Sequence, residues 1–189
     1  MRVSSVLRYF GLTAAVLAWV IIALCVAANP WFVFTRNAFS DLGGPRSTVP
    51  WLYNYGLMAV GVLVFLYAAH MARLGANRVE VVGASFVMVA AIFLALIGVY
   101  HEGTYPHVFV STWFFVQFDI AILTSGIGLL LRGSRRTGVG VVVLFLVATL
   151  VAALVRWPSA ATIEAWGIGA IDVWAVLVFP IYRAVIKNK

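Results

Sequence analysis

Charge is what this sequence has least of. Only 10% of its 189 residues are Asp, Glu, Lys or Arg, and just 6 of those are acidic. A soluble domain spends about a quarter of its residues on these four types. The shortage leaves too little charge to cover a water-exposed surface, which excludes a soluble enzyme and a disordered segment. Cysteine is almost missing as well. Cys25 stands alone, and one thiol excludes an intrachain disulfide and a Cys-rich metal site. Polybasic blocks, low-complexity tracts and long linkers are lacking. The formal net charge is +7, but the 13 basic residues lie in small groups between apolar runs. That scatter speaks for membrane topology, and nucleic acid is not an expected partner.

What the sequence has in quantity is apolar surface: 64% hydrophobic residues and 14% aromatics. The mean hydropathy is +1.05. A helix needs about 20 apolar residues to cross the hydrocarbon core. Six runs meet that length, roughly 9–28, 51–71, 79–100, 108–131, 138–155 and 165–186. They are continuously apolar instead of alternating, which argues against barrel strands. The fold expected is all-α, a polytopic membrane bundle of six transmembrane helices forming one transmembrane domain over residues 1–189. The first run follows Arg2 and Arg8 but exceeds the roughly 7–15 residues of a signal h-region, so it reads as an uncleaved span. With these spans, 10 basic residues share a side with both termini and 3 lie opposite. The positive-inside rule then puts both termini in the cytoplasm. In a prokaryotic cell the chain belongs in the cytoplasmic membrane.

Polar residues within so apolar a chain are the candidates for function. The first outer loop carries Arg36-Asn37-Ala38-Phe39-Ser40-Asp41-Leu42-Gly43-Gly44-Pro45. Short polar side chains there bond nearby backbone, and the glycine pair suits a turn with positive φ. Burying Trp31, Phe32, Phe34 and Phe39 would draw Ser40 and Asp41 inward, where Asp41 needs a donor. His101, Asn54, Arg36 and backbone amides of the glycine turn are the nearby candidates. The hairpin between helices 3 and 4 adds Glu102 and His107. Asp41, His101, Glu102 and His107 together offer the ligand types zinc takes, although their spacing fits no metal motif, and zinc stands as the only candidate cofactor. His70 lies near the opposite end of the bundle, which sets bis-histidine haem binding aside.

Asp119 lies near the middle of helix 4 and Asp172 below the outer end of helix 6. A charge at such depth costs a few kcal/mol, so each should face the interior with a partner. For Asp119 the candidates are Gln117, Thr124, Ser125 or a backbone carbonyl. Arg156 and Glu164 flank the last outer loop and suit an ion pair or a pocket rim. Gly126, Gly128, Gly167 and Gly169 suit close helix packing.

Several of these residues carry a resemblance. Asn37-x-x-Ser40-Asp41-Leu42-Gly43, then Pro50 and Asn54 heading helix 2 and His101 ending helix 3, resemble the six-helix membrane family called domain of unknown function 998. The layout is more distantly similar to DRAM/Sfk-like membrane proteins, which also have a Ser-Asp-x-Gly turn after helix 1. The resemblance implies six helices and cytoplasmic termini and supplies no reaction. It carries over Asn37, Ser40, Asp41, Gly43, Asn54 and His101.

The function expected is non-enzymatic binding of a membrane lipid or a protein partner, a second copy of the chain included, at an outward-facing polar site. Arg36, Asn37, Ser40, Asp41, Asn54, His101, Glu102, His107, Asp119 and Asp172 are its candidate residues. One alternative is a membrane-embedded lipid hydrolase at the outer leaflet, metal-dependent or not, with Ser40, Asp41 and His101 as catalytic candidates. The other is a small proton-coupled carrier using Asp119 and Asp172.

Overall fold

Long apolar runs leave the backbone no water to bond, so in lipid each must close its own hydrogen bonds as a helix. The computed structural model describes residues 4–183, and among them six long helices and no strands are found. After a single turn at Ser4–Leu7, the long helices are α1 (Phe10–Ala28), α2 (Pro50–Leu74), α3 (Arg78–Val99), α4 (His107–Leu131), α5 (Arg135–Leu154) and α6 (Ala160–Tyr182). All six are long and apolar enough to cross a membrane. The protein is an all-helical, multi-pass integral membrane protein.

Helix ends differ from the run lengths where local hydrogen bonding outweighs hydropathy. Helix α6 begins at Ala160 because Ser159 accepts the Thr162 N–H at 3.2 Å, five residues before its apolar run. Helix α5 takes in the polar Arg135-Arg136-Thr137 turn through backbone bonding alone, Gly138 N–H donating to the Ser134 carbonyl at 2.9 Å. Residues 184–186 of the expected sixth run lie outside the described residues.

Three helices form the centre. In the spanning windows of α2, α3 and α4, 39–44% of residues are buried, against 28% in α1, 17% in α5 and 22% in α6. The central seams are made close by small residues, as membrane interfaces favour. A Cβ at Gly83 would lie 3.0 Å from the Ser125 nitrogen, and one at Gly128 would lie 2.8 Å from the Glu80 nitrogen. Gly126 and Gly167 also sit against neighbours, whereas Gly169 faces open space and packs against nothing. Helix α5 presents most of its Val/Leu surface outward. Helix α6 packs on α5 and touches α1, α2 and α4 only sparsely.

The bundle has two ends. The loop end holds residues 29–49, 100–106 and 155–159, and the opposite end holds 75–77, 132–134 and Arg183.

Candidate functional site

At the loop end the first loop folds back over the bundle. Asn29, only 1% exposed, starts it: its amide donates to the Cys25 carbonyl at 2.7 Å, and its oxygen accepts from Thr48 N and Trp31 Nε1. Phe39 is the buried nail. Its ring stacks on Phe32 at 5.9 Å and meets the edge of Trp19 at 6.1 Å, while Phe34 stays exposed. Phe39–Gly43 is a 3-10 turn. Four bonds tie the loop down. Phe39 N–H donates to Glu164 Oε2 at 2.6 Å, and Ala161 N–H to the Asn37 carbonyl at 2.9 Å. The Ser159 hydroxyl donates to the Phe34 carbonyl at 2.6 Å, and Asn54 Nδ2 to the Gly43 carbonyl at 3.0 Å.

The expected positive φ at Gly43-Gly44 is not adopted; among described residues it occurs at Gly103 and Gly133. A 3-10 turn needs no left-handed residue. Gly43 is required for another reason, since the Asn54 side chain and the Tyr53 ring occupy the space a Cβ would take.

Asp41 serves the turn itself. Its Oδ2 accepts from Ala38 N–H at 2.9 Å and Asn37 Nδ2 at 3.2 Å. Asn37 Oδ1 accepts from Val33 N–H at 2.8 Å. The donor expected from His101 is thus replaced by local backbone, the cheapest partner for a carboxylate three residues into a turn. His101 bonds the Glu102 carbonyl through Nδ1 at 2.9 Å. Arg36 is exposed. Glu102 and His107 do come together, at 3.0 Å, and the other His107 nitrogen bonds the Tyr100 carbonyl at 2.8 Å. Both ring nitrogens of His107 thus lie against oxygen atoms, which fixes the ring between α3 and the hairpin. Among the described residues no three His, Cys, Asp or Glu side chains converge as a metal site requires. Zinc at Glu102 and His107 would need Asp41 and His101 to leave their present partners.

The deeper acids have single partners. Asp119 accepts from the Thr149 hydroxyl of α5 at 3.0 and 3.2 Å, and Asp172 accepts from Trp19 Nε1 at 2.7 Å. Thr124 and Ser125, the expected partners of Asp119, bond carbonyls of their own helix. That is the usual fate of a helical hydroxyl. Glu164 takes the Phe39 amide, and Arg156 plays no part in its bonding.

Under the Phe39–Gly43 turn lies a narrow, partly open cavity of about 100 Å³. Its walls are apolar, among them Ala18, Val64, Phe114, Phe118 and Trp174. Its polar groups gather mostly at the loop end: Ser40, Tyr53, Ser111 and Glu164, with Asp172 and Tyr67 further down. On the other side of α6 a second, more open groove of about 580 Å³ lies between α4, α5 and α6. Asp119, Thr149, Trp166 and again Glu164 line it.

Glu80, not among the sequence candidates, anchors the opposite end. It is 1% exposed. It accepts from Arg132 Nη1 and from the Tyr182 hydroxyl, each at 3.1 Å, and from Asn77 Nδ2 at 3.1 Å. His70 Nε2 bonds the Tyr182 carbonyl at 2.8 Å. The signal was present in Asn77-x-x-Glu80, an N-cap residue followed three positions on by Glu.

A multi-pass helical bundle with a loop-capped, apolar cavity and an acidic residue at its rim is the class these features define. The chain belongs to the family described as protein of unknown function DUF998, which matches residues 12–179. No curated protein and no solved structure matches it.

Proposed function

We propose that this protein binds a membrane lipid without turning it over, with an acyl chain in the slot beneath the Phe39–Gly43 turn and the polar part of the lipid at the loop end. The observation carrying this reading is the division of the slot: apolar side chains along most of its length, broken only by Asp172 and Tyr67, and Ser40, Tyr53, Ser111 and Glu164 gathered under the turn. An amphiphile has the same division, and few polar groups in an apolar pocket set orientation. Ser40 thus acts as a rim group, and Asn37, Asp41 and Asn54 act by holding the turn in place.

Ala18→Phe puts a ring into the slot from the wall of α1. Lipid retained through purification, counted by native mass spectrometry, should fall several-fold while the melting temperature changes little. Unchanged retention would remove the slot as the binding site. Release of a free fatty acid from the retained lipid would move the reading to the hydrolase.

The same reading places the loop end on the outer side of the membrane, following the 10 to 3 division of basic residues. In a Cys25→Ala background, Arg46→Cys should react with an impermeant maleimide from outside and Arg135→Cys only after lysis. The reverse pattern would invert the orientation.

A further inference from the structure

We propose, resting on the lipid reading above, that the slot fills sideways from the bilayer: an acyl chain enters through the groove between α4 and α6, and Phe115 is the leaf that closes this entrance.

The slot and the groove share a wall. Ser111, Phe115, Phe118, Glu164 and Ile171 line both spaces. Phe118 is 2% exposed and packs edge-on against Trp174 at 5.4 Å, so it is a fixed part of the core. Phe115 is only partly buried. Its ring edge lies where a side chain at residue 167 would begin, 2.7 Å from the place of a Cβ. Glycine there leaves the ring nothing but bare backbone on α6 to move against. A rotamer change of one aromatic residue is a small motion beside the displacement of a helix.

The alternative way in is from above, and it is shut. Reaching the slot past the Phe39–Gly43 turn means breaking the bonds of Phe39 to Glu164, Asn37 to Ala161, Phe34 to Ser159 and Gly43 to Asn54. Phe39 itself is 4% exposed, held between Phe32 and Trp19. Helix α6, by contrast, stands off from α4, with a space on each side of it. The occupant suited to this route is a bilayer acyl chain. The groove is mainly Ala, Ile, Val and Phe, and the helices around it are long and apolar enough to span a membrane. The polar pair Asp119–Thr149 lies one turn below Phe115 and bounds the apolar passage on that side.

Tryptophan quenching by lipid brominated on its acyl chain tests this, because bromine quenches on contact. Trp174 lines the slot and is 1% exposed. It is kept as the sole tryptophan of the full-length chain, the others being changed to Phe, and the protein is reconstituted into phosphatidylcholine vesicles. Brominated phosphatidylcholine is then mixed in, and quenching is followed in time. Quenching of Trp174 is expected, several-fold faster in Phe115→Ala and several-fold slower in Thr112→Phe. Thr112 is exposed and lines the groove but not the slot, so its variant obstructs the entrance without touching the core. Opposite signs in two variants separate gating from loss of fold. Quenching at one rate in all three proteins would overturn the lateral route and leave the lipid reading standing. No quenching of Trp174, even when the protein is reconstituted directly in brominated lipid, would overturn the lipid reading itself.

Discussion

Glu80→Ala is expected to cost this protein more stability than any other single change of a polar side chain. Glu80 is fully buried and collects the Arg132 guanidinium, the Tyr182 hydroxyl and the Asn77 amide, so it joins α3, α4 and α6 at one point. Removing one member of a buried ion pair leaves the other charge without compensation, at about 3–5 kcal/mol. Arg132 keeps 28% of its side-chain exposure, and water then recovers part of that cost. A loss of roughly 2–3 kcal/mol remains, which for a chain of this size is a fall on the order of 5–10 °C in melting temperature. Tyr182→Phe removes one hydroxyl and keeps the ring, so its fall should be smaller. Glu80→Gln should lie between, retaining an acceptor for Tyr182 while leaving Arg132 without a counter-charge. Thermal unfolding in one detergent, followed by circular dichroism, ranks the three. An unchanged midpoint in Glu80→Ala would show that the cluster stabilises nothing.

The six spans were legible because lipid leaves the chain so little choice. A run of about 20 apolar residues in a membrane has only the helix open to it. Composition alone therefore places the helices to within a few residues. Their ends follow a different chemistry. Ser159 starts α6 through a side-chain bond that no hydropathy window registers, and the polar start of α5 is helical through backbone bonds alone, Gly138 N–H donating to the Ser134 carbonyl.

The loop-end turn was legible in its residues and much less so in its pairings. Asn37, Ser40, Asp41, Gly43 and Asn54 all belong to the turn and its supports. Yet Asp41 is occupied three residues back, at Ala38, and not across the bundle at His101. Local backbone is always within reach of a short side chain, while long-range partners depend on how helices rotate. Glu164 shows the converse. Its partner lies 125 positions away, at Phe39, and only the folded loop brings the two together. Trp19 with Asp172 and Thr149 with Asp119 are further cases. In each, helix rotation decides which polar group meets which, and a continuously apolar helix carries almost no periodic mark of its rotation.

Glu164 is accordingly the residue whose replacement should most alter the loop end. Its carboxylate accepts the Phe39 N–H at 2.6 Å and lines both the slot and the groove. It therefore holds the turn down and supplies an acidic group at the rim. A buried hydrogen bond whose donor is left unpaired costs about 1–3 kcal/mol to lose. Glu164→Ala removes it and leaves the Phe39 amide without an acceptor in a buried place. Amide exchange over Phe39–Gly43 should then rise about 10- to 100-fold, since 1.4 kcal/mol is a factor of ten. Exchange at the Glu80 end of the bundle should stay as it was, because no bond of that cluster reaches Glu164. Glu164→Gln keeps a carbonyl oxygen for Phe39 and should recover most of the protection. Lipid retention separates the two roles. If Glu164 acts only by holding the turn, Gln restores retention along with protection. If its carboxylate also bonds the polar part of the lipid, Gln restores protection and leaves retention low. Hydrogen exchange unchanged in Glu164→Ala would mean that the Phe39 bond does not hold the turn, and that the aromatic stack of Phe32, Phe39 and Trp19 does so alone.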